Sequence, residues 1–336
     1  MAKRLSRNPT VIILALALMA LAVLALWCRA QLRPLADAGE LKIIQVERGE
    51  GASVVARKLA AEGLIRSAPA FEIYLAWTRL GTKLKAGYYD LSPAMSGQEM
   101  AERIASGRVT TRKVTVPEGL RLAQVAERVA ASGLATADGF LAAAVPKTVA
   151  SKVDMPLPES TLEGYLLPET YEFALGTTAD DIVLRMVREL QDRFVKPNAE
   201  AIGASALSLH QILTLASLVE REARVPEDRP KIAGVLINRL DRGMKLQCDA
   251  TVQYALGEHK QRLTFQDLKV DSPYNTYLHK GLPPGPIACP GLASLQAALR
   301  PARTDALFYV AKPDGSHVFS RTYEEHQAAI RKIRGQ

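Results

Sequence analysis

The sequence predicts an α+β protein carried behind an N-terminal transmembrane helix. Three observations lead there. Asn8 to Cys28 runs without a charge and is rich in Leu, Ala, Val and Ile, which is long enough to cross a bilayer as a helix. Two stretches of the N-terminal half share one pattern of strand, turn, amphipathic helix and glycine stop. The C-terminal half mixes amphipathic helices with short strands and Pro- and Gly-rich loops, the signature of an α+β domain.

Composition narrows the function classes. A chain of 336 residues fits two domains, and 48% hydrophobic with 23% charged residues is ordinary for a globular protein. The formal charge is +8, but Lys3, Arg4, Arg7 and Arg29 lie in residues 1–30, which hold no acid, so the remainder is only mildly basic. With no dense basic run or recognition motif, a nucleic-acid partner is not expected. Cys28 falls in the apolar segment. Cys248 and Cys289 lie far apart without C-x-x-C spacing; a single disulfide between them stays open for an oxidising compartment. The five histidines show no metal-ligand spacing, so no metal and no other cofactor is expected.

Lys3, Arg4 and Arg7 favour a cytoplasmic N-terminus over residues 1–9 and a span over residues 10–28. Everything after Arg29 then lies outside the cytoplasmic membrane. A cleaved signal peptide is the alternative, although its apolar core is usually shorter. A lipoprotein signal fits poorly, because bulky Trp27 precedes Cys28. Residues 30–42 read as a linker.

Residues 43–135 carry the repeated pattern. Leu41-Lys-Ile-Ile-Gln-Val46 reads as a strand, followed by a turn and a helix at Val54–Glu62. Val46-Glu-Arg-Gly49 aligns with Val116-Pro-Glu-Gly119. At the same offset, Val55-Ala-Arg-Lys-Leu-Ala-Ala-Glu-Gly-Leu64 aligns with Val125-Ala-Glu-Arg-Val-Ala-Ala-Ser-Gly-Leu134. Two copies are too few for a solenoid and imply two small related modules. Between them lie a helix at Phe71–Leu80, a strand at Lys85–Leu91 and a helix at Ser96–Ser106. Residues 135–160, rich in Ala and Pro, read as a connection into a second domain over residues 136–336.

That domain opens with Leu162-Glu-Gly-Tyr-Leu-Leu-Pro-Glu-Thr-Tyr-Glu-Phe173, an irregular segment of alternating apolar, aromatic and acidic residues. A helix at Asp180–Phe194 follows, with Thr178 or Asp180 able to cap it. Ser205–Arg224 reads as one helix. On a wheel, Leu209, Ile212, Leu213, Leu215, Ala216, Leu218, Val219 and Ala223 fill one broad arc, with His210, Thr214, Ser217 and Arg221 opposite. Glu220 and Glu222 fall on the two flanks of the apolar arc. A carboxylate held against apolar groups takes up a proton more readily, which prepares a general acid for neutral pH; a half-solvated pair at a helix end is the plainer reading. The two diverge by roughly 160–200° on a helix, so they cannot straddle one bond. A helix at Asp228–Asp241 follows.

The C-terminal third reads as short strands and loops: Lys245–Tyr254, then Ser272-Pro-Tyr-Asn-Thr-Tyr277, then a Pro- and Gly-rich loop from Gly281 to Gly291. Packed Pro and Gly leave such a loop little entropy to lose. Neutral hydrogen-bonding groups and aromatic faces suit an uncharged, hydroxyl-rich ligand such as a sugar chain. No phosphate loop, nucleophile elbow or zinc motif is present. A helix at Ser294–Leu299, paired strands at Ala306–Ala311 and His317–Ser320, and a helix from Thr322 to Arg334 complete the chain.

Six stretches in order resemble the YceG-like family, the endolytic murein transglycosylases of bacteria. They are Leu162–Tyr171, Leu215-Ala-Ser-Leu-Val-Glu-Arg-Glu222, Ile237-Asn-Arg-Leu240, Gly243-Met-Lys-Leu-Gln-Cys-Asp249, Ser272–Tyr277 and Gly281-Leu-Pro-Pro-Gly-Pro286. Each repeated unit likewise resembles a LysM-like module, which in other proteins grips glycans containing N-acetylglucosamine. The resemblance implies an enzyme that cleaves nascent glycan strands internally between MurNAc and GlcNAc without water. It would leave 1,6-anhydro-MurNAc ends and end strand elongation. The second glutamate of the family motif is the catalytic one, and that position here is Glu222. Glu220 then orients substrate or neighbours, with Glu220 as the acid the alternative assignment. Glu163, Gln247, Asp249, Tyr274, Asn275 and Thr276 match family motifs as cleft residues that bind substrate. Two departures stand out: Cys248 replaces the usual Ser or Thr, and Ala250 the usual Pro.

The implied partners are peptidoglycan glycan strands, the cytoplasmic membrane and peptidoglycan synthases. Two other readings stay open at this point. A muramidase would need a second carboxylate to activate water, with Asp249 or Glu163 as candidates. A non-catalytic peptidoglycan-binding membrane protein would use the LysM-like units alone.

Overall fold

The computed structural model describes residues 9–258 and 260–335. The expected cytoplasmic N-terminus falls outside these residues except for Pro9. The fold is mixed α+β, with helices predominating and three two-stranded sheets among the described residues. The chain divides into two compact units, one ending at Arg112 and including Ala174–Gly176, the other holding Lys113–Phe173 and the chain from Thr177.

The first unit begins with α1 (Pro9–Gln31). The most apolar 18-residue window of its stretch Thr10–Gln31 has a mean hydropathy of 2.9 and is almost wholly unburied, so it is long and apolar enough to cross a membrane. Leu32 is buried just beyond it, and its carbonyl accepts from the Gly97 N–H at 2.8 Å. The Leu35 N–H donates to the Pro93 carbonyl at 2.8 Å, so part of the expected linker is bonded to the unit. β1 (Lys42–Val46) pairs antiparallel with β2 (Gly87–Leu91), Ile44 opposite Tyr89. Alternation turns Ile44 and Val46 inward and Ile43 and Gln45 outward. α2 (Ala52–Ala61) and α3 (Ala68–Trp77) lie between the strands in sequence. α4 (Gly97–Ser106) follows, started by a reciprocal Ser96–Glu99 capping box and stopped at Gly107. Val55, Leu59, Phe71, Leu75, Tyr89 and Met100 form the core.

The second copy of the repeat has the same order. β3 (Thr111–Thr115) pairs with β4 (Thr170–Ala174), and α5 (Leu122–Ala131), α6 (Ala137–Ala143) and α7 (Pro146–Val149) come between. The repeat is therefore strand, helices, strand, rather than the strand and single helix legible from the aligned residues. Gly63 and Gly133 end the aligned helices at φ of +67° and +76°, a left-handed conformation that favours glycine. Residues 135–160, expected to be a connection, instead fold: Phe140 and Val149 are fully buried in the core of the second unit. Alanine-rich α6 and a proline at the first position of α7 imitate linker composition.

The rest of the unit is helical with one hairpin. α8 (Ala179–Leu190) is capped by Thr178, whose Oγ1 accepts from the Asp181 N–H at 3.2 Å. It then widens into a π turn at Gln191–Val195. α9 (Ala199–Gly203), α10 (Leu209–Glu222), α11 (Arg229–Asp241), α12 (Asp249–Leu256) and α13 (Leu292–Leu299) follow. α12 corrects the sequence reading of Lys245–Tyr254 as strand or loop. Asp249 in the first turn and Gly257 as a left-handed stop define it, both favourable at those ends. β5 (Phe308–Ala311) and β6 (His317–Ser320) pair antiparallel, Tyr309 opposite Phe319. α14 (Tyr323–Arg334) carries acids in its first turn and bases in its last, matching the helix dipole.

Candidate active site

The site is built on α10. Ser208 and Gln211 form a reciprocal capping box at its start. Ile212 to Val219 are all buried, so the helix is core on every side. The wheel assigned Thr214 and Ser217 to the solvent face. Instead their hydroxyls donate to the His210 and Thr214 carbonyls at 2.7 Å each, which satisfies them inside the helix. Ser217 Oγ also accepts from the Ile287 N–H at 3.0 Å, fixing the Pro- and Gly-rich loop to α10. His210 holds the same loop: Nε2–H donates to the Pro284 carbonyl at 2.8 Å, and Nδ1 accepts from the Tyr165 hydroxyl at 3.0 Å. This tautomer is assigned from its two partners.

Glu220 and Glu222 leave the last turn of α10 toward different neighbours. Glu220 Oε2 accepts from the Gly291 N–H at 3.0 Å, at the start of α13. Its Oε1 lies 3.8 Å from Arg229 Nη2, whose Nε donates to Ser294 Oγ at 3.2 Å. Glu118, in the turn of the second repeat, lies against Gly291. Burial, then the charge of Glu220, raise the Glu118 pKa. The same turn is bonded to the loop through Gly119 N–H to the Cys289 carbonyl at 2.9 Å and Cys289 N–H to the Leu120 carbonyl at 2.8 Å. Arg221, between the two glutamates, is exposed and donates to the Gly119 carbonyl at 3.2 Å.

Glu222 keeps part of its surface open to solvent, yet its carboxyl is pushed up to about 7. Burial is the main cause and the charge of Asp249 the second, while the Tyr309 hydroxyl and the guanidiniums of Arg221 and Arg239 pull the other way. Asp249 is exposed at the first position of α12, and its Oδ1 accepts from the Tyr277 hydroxyl at 2.6 Å. Arg239 is buried and donates to three carbonyls, Leu307 at 2.6 Å, Leu246 at 2.8 Å and Lys245 at 3.4 Å, with its guanidinium 5.1 Å from the Phe308 ring centre. It brings a fixed positive charge near Glu222. Tyr309 comes from β5, its ring edge-on to His317 at 5.6 Å, and His317 Nδ1 lies 3.0 Å from Asp228 Oδ2.

Glu163 belongs to a different group. It is buried, and both carboxyl oxygens accept from the Leu122 N–H, at 3.0 and 3.1 Å, at the first position of α5. The Tyr254 hydroxyl donates to it at 3.5 Å. Burial pushes its carboxyl up to about 7 against the pull of these bonds and of Arg121. Tyr254 stacks tilted on Tyr274 with ring centres 4.8 Å apart, and the Arg121 guanidinium lies 5.2 Å over its ring. Both groups border α12, with Asp249 and Tyr254 about 7.5 Å apart along its axis.

Of the residues expected to line a cleft, Asp249 thus lies beside Glu222, and Tyr274 beside Glu163, while Glu220 turns to α13. Gln247 is exposed with φ of +52°, its N–H donating to the Thr276 carbonyl at 3.2 Å. Asn275 and Thr276 are buried. Asn275 Nδ2 donates to the Leu268 and Val270 carbonyls at 3.0 and 2.9 Å, and Thr276 Oγ1 accepts from the Cys248 N–H at 3.0 Å. Their polar groups are spent holding the loop. Cys248 and Cys289 are buried and unpaired, so the disulfide left open by the sequence is not formed. Cys248 Sγ donates weakly to the Leu246 carbonyl at 3.8 Å, a contact a hydroxyl would make more strongly. Sequence reading passed over Tyr309, Tyr277 and Arg239. The last two stand inside stretches that carried the resemblance, and Tyr309 had only its strand position.

Comparison with known proteins shows which family the chain is similar to. The YceG-like family profile matches residues 44–332. A Bacillus subtilis protein named endolytic murein transglycosylase is 36% identical over 303 residues, covering 86% of this chain and 84% of that protein. A Streptococcus pneumoniae protein of the same name is 32% identical over 326 residues; the match covers 88% of this chain and 59% of the longer streptococcal one. A crystal structure of a YceG-like protein from Listeria monocytogenes superposes with a TM-score of 0.59 at 36% identity, covering 87% of this chain and all of that one. With the family profile spanning most of its length, the chain belongs to the YceG-like family.

Proposed function

We propose that this protein is an endolytic murein transglycosylase, a lyase that cuts peptidoglycan glycan strands internally between MurNAc and GlcNAc and leaves 1,6-anhydro-MurNAc ends. The observation that carries the reading is family membership together with 36% identity to a protein of that name. Glu222 is the acid. Protonated near neutral pH, it gives its proton to the leaving glycosidic oxygen. The oxocarbenium-like centre is closed by the C6 hydroxyl of the same sugar, and the carboxylate recovers that hydroxyl's proton. One carboxyl therefore serves both half-steps, and no water enters. A pKa of about 7 suits both halves, because such a group gives and takes a proton with similar ease.

Asp249, Gln247 and Tyr274 supply substrate contacts, and Glu220, Asn275 and Thr276 hold the surrounding backbone. Glu163 fixes the start of α5 beside the Tyr254–Tyr274 stack. α1 anchors the chain in the cytoplasmic membrane, with the remainder outside, where nascent strands and their synthases work. The two repeated units act as LysM-like glycan grips, and cleavage ends strand elongation. Mass spectrometry of strands digested by the full chain in detergent tests the reaction. Internal 1,6-anhydro ends are expected. Reducing ends would mean a muramidase-type hydrolase, and binding without products would mean a peptidoglycan-binding protein.

A further inference from the structure

α3 carries one charge, Glu72, in the ten residues from Ala68 to Trp77. One face is core: Ala70, Phe71 and Leu75 are fully buried. The opposite face is also apolar but uncovered, with Ile73 39% and Trp77 77% exposed and Ala76 exposed. An apolar helix face is normally buried or in lipid, so this face lacks an occupant.

Its position supplies one. Leu32, just past the end of α1, and Phe71, early in α3, share the core of the first unit. Trp77 lies about 9 Å further along α3. There Ile73, Tyr74 and Trp77 line an open groove together with Leu21, Leu24 and Ala25 of α1. α3 therefore runs back along α1, past Cys28 and into the level of the apolar stretch. Arg29 and Arg33, at and just past the end of α1, line the same groove.

We propose that α3 is a second membrane contact. Ile73, Ala76 and Trp77 sit in the acyl region of the leaflet beside α1, and Arg29 and Arg33 meet its anionic headgroups. This rests on the reading of α1 as a membrane anchor. The physical warrant is continuity: a bilayer that surrounds Leu21–Ala25 also surrounds the groove they share with Trp77. Two contacts instead of one fix the tilt of the first unit on the membrane, which a single helix followed by a loose tether would not do.

The chain holds two tryptophans, Trp27 in α1 and Trp77 in α3, so each reports separately when the other is replaced. Full-length Trp27→Phe and Trp77→Phe chains are reconstituted into phosphatidylcholine–phosphatidylglycerol vesicles, with and without brominated acyl chains. The proposal expects Trp77 to emit at shorter wavelength than in water and to lose most of its intensity to bromine, as Trp27 does. Quenching of Trp27 with water-like, unquenched Trp77 emission overturns the proposal and leaves the anchor standing. No quenching of either overturns both.

Discussion

The Tyr277 hydroxyl donates to Asp249 Oδ1 at 2.6 Å, and this tethered carboxylate is the charged neighbour that most favours a proton on Glu222. Only the protonated form of Glu222 can act as the acid, so kcat/KM should fall as pH rises through about 7. Asp249→Asn removes a like charge and should move that alkaline limb to lower pH. Burial, the larger cause, remains, so the limb should stay above the ordinary carboxylate range. A pH–rate profile of anhydro-end formation checks this; an unmoved limb would detach Asp249 from Glu222.

Tyr309→Phe should shift the same limb the opposite way. The Tyr309 hydroxyl favours the charged form of Glu222, so its loss leaves the carboxyl holding its proton to higher pH. The carboxylate that must take back a proton is then less well supported, and kcat should fall roughly 10-fold, the usual worth of a hydrogen bond to a charged group. A wild-type profile from the Phe variant would remove Tyr309 from the site.

Glu163 should be visible in stability rather than in rate. Its folded pKa of about 7 lies above its ordinary 4.5, so between those values the native chain keeps a proton that the unfolded chain releases. The stability tied to that proton is fully present below 4.5 and is lost as pH rises through about 7. Glu163→Gln removes the titration while keeping one acceptor for the Leu122 N–H. Urea midpoints from acid to neutral pH should fall less steeply in the variant, by about one proton's worth of slope. An unchanged slope would mean that Glu163 titrates normally.

Much of the secondary structure was legible because it is local. The Ser208–Gln211 cap, the apolar period of α10 and the paired stops at Gly63 and Gly133 all lie within one element. α12 was missed because its eight residues are too few to show a period. The wheel misjudged Thr214 and Ser217 because hydroxyls that bond back to their own helix can be buried cheaply. The surroundings of Glu222 were not legible. They come from the first turn of α12, the loop at Tyr277, Arg239 of α11 and Tyr309 of β5, and no sequence period relates them. The family resemblance pointed to several of these stretches without saying which side chains meet.

Glu220 and Glu222 offer the most direct test, because they differ in neighbours but not in chemistry. Glu220 is held by the Gly291 N–H and Arg229, whereas Glu222 sits beside Asp249 with part of its surface open. Full-length Glu220→Gln and Glu222→Gln chains should be compared with wild type by counting 1,6-anhydro ends released from glycan strands, after circular dichroism shows that each is folded. The account predicts that Glu222→Gln loses at least about 100-fold, the scale of a removed general acid, while Glu220→Gln keeps measurable activity. Near-wild-type anhydro products from Glu222→Gln, with loss confined to Glu220→Gln, would contradict it.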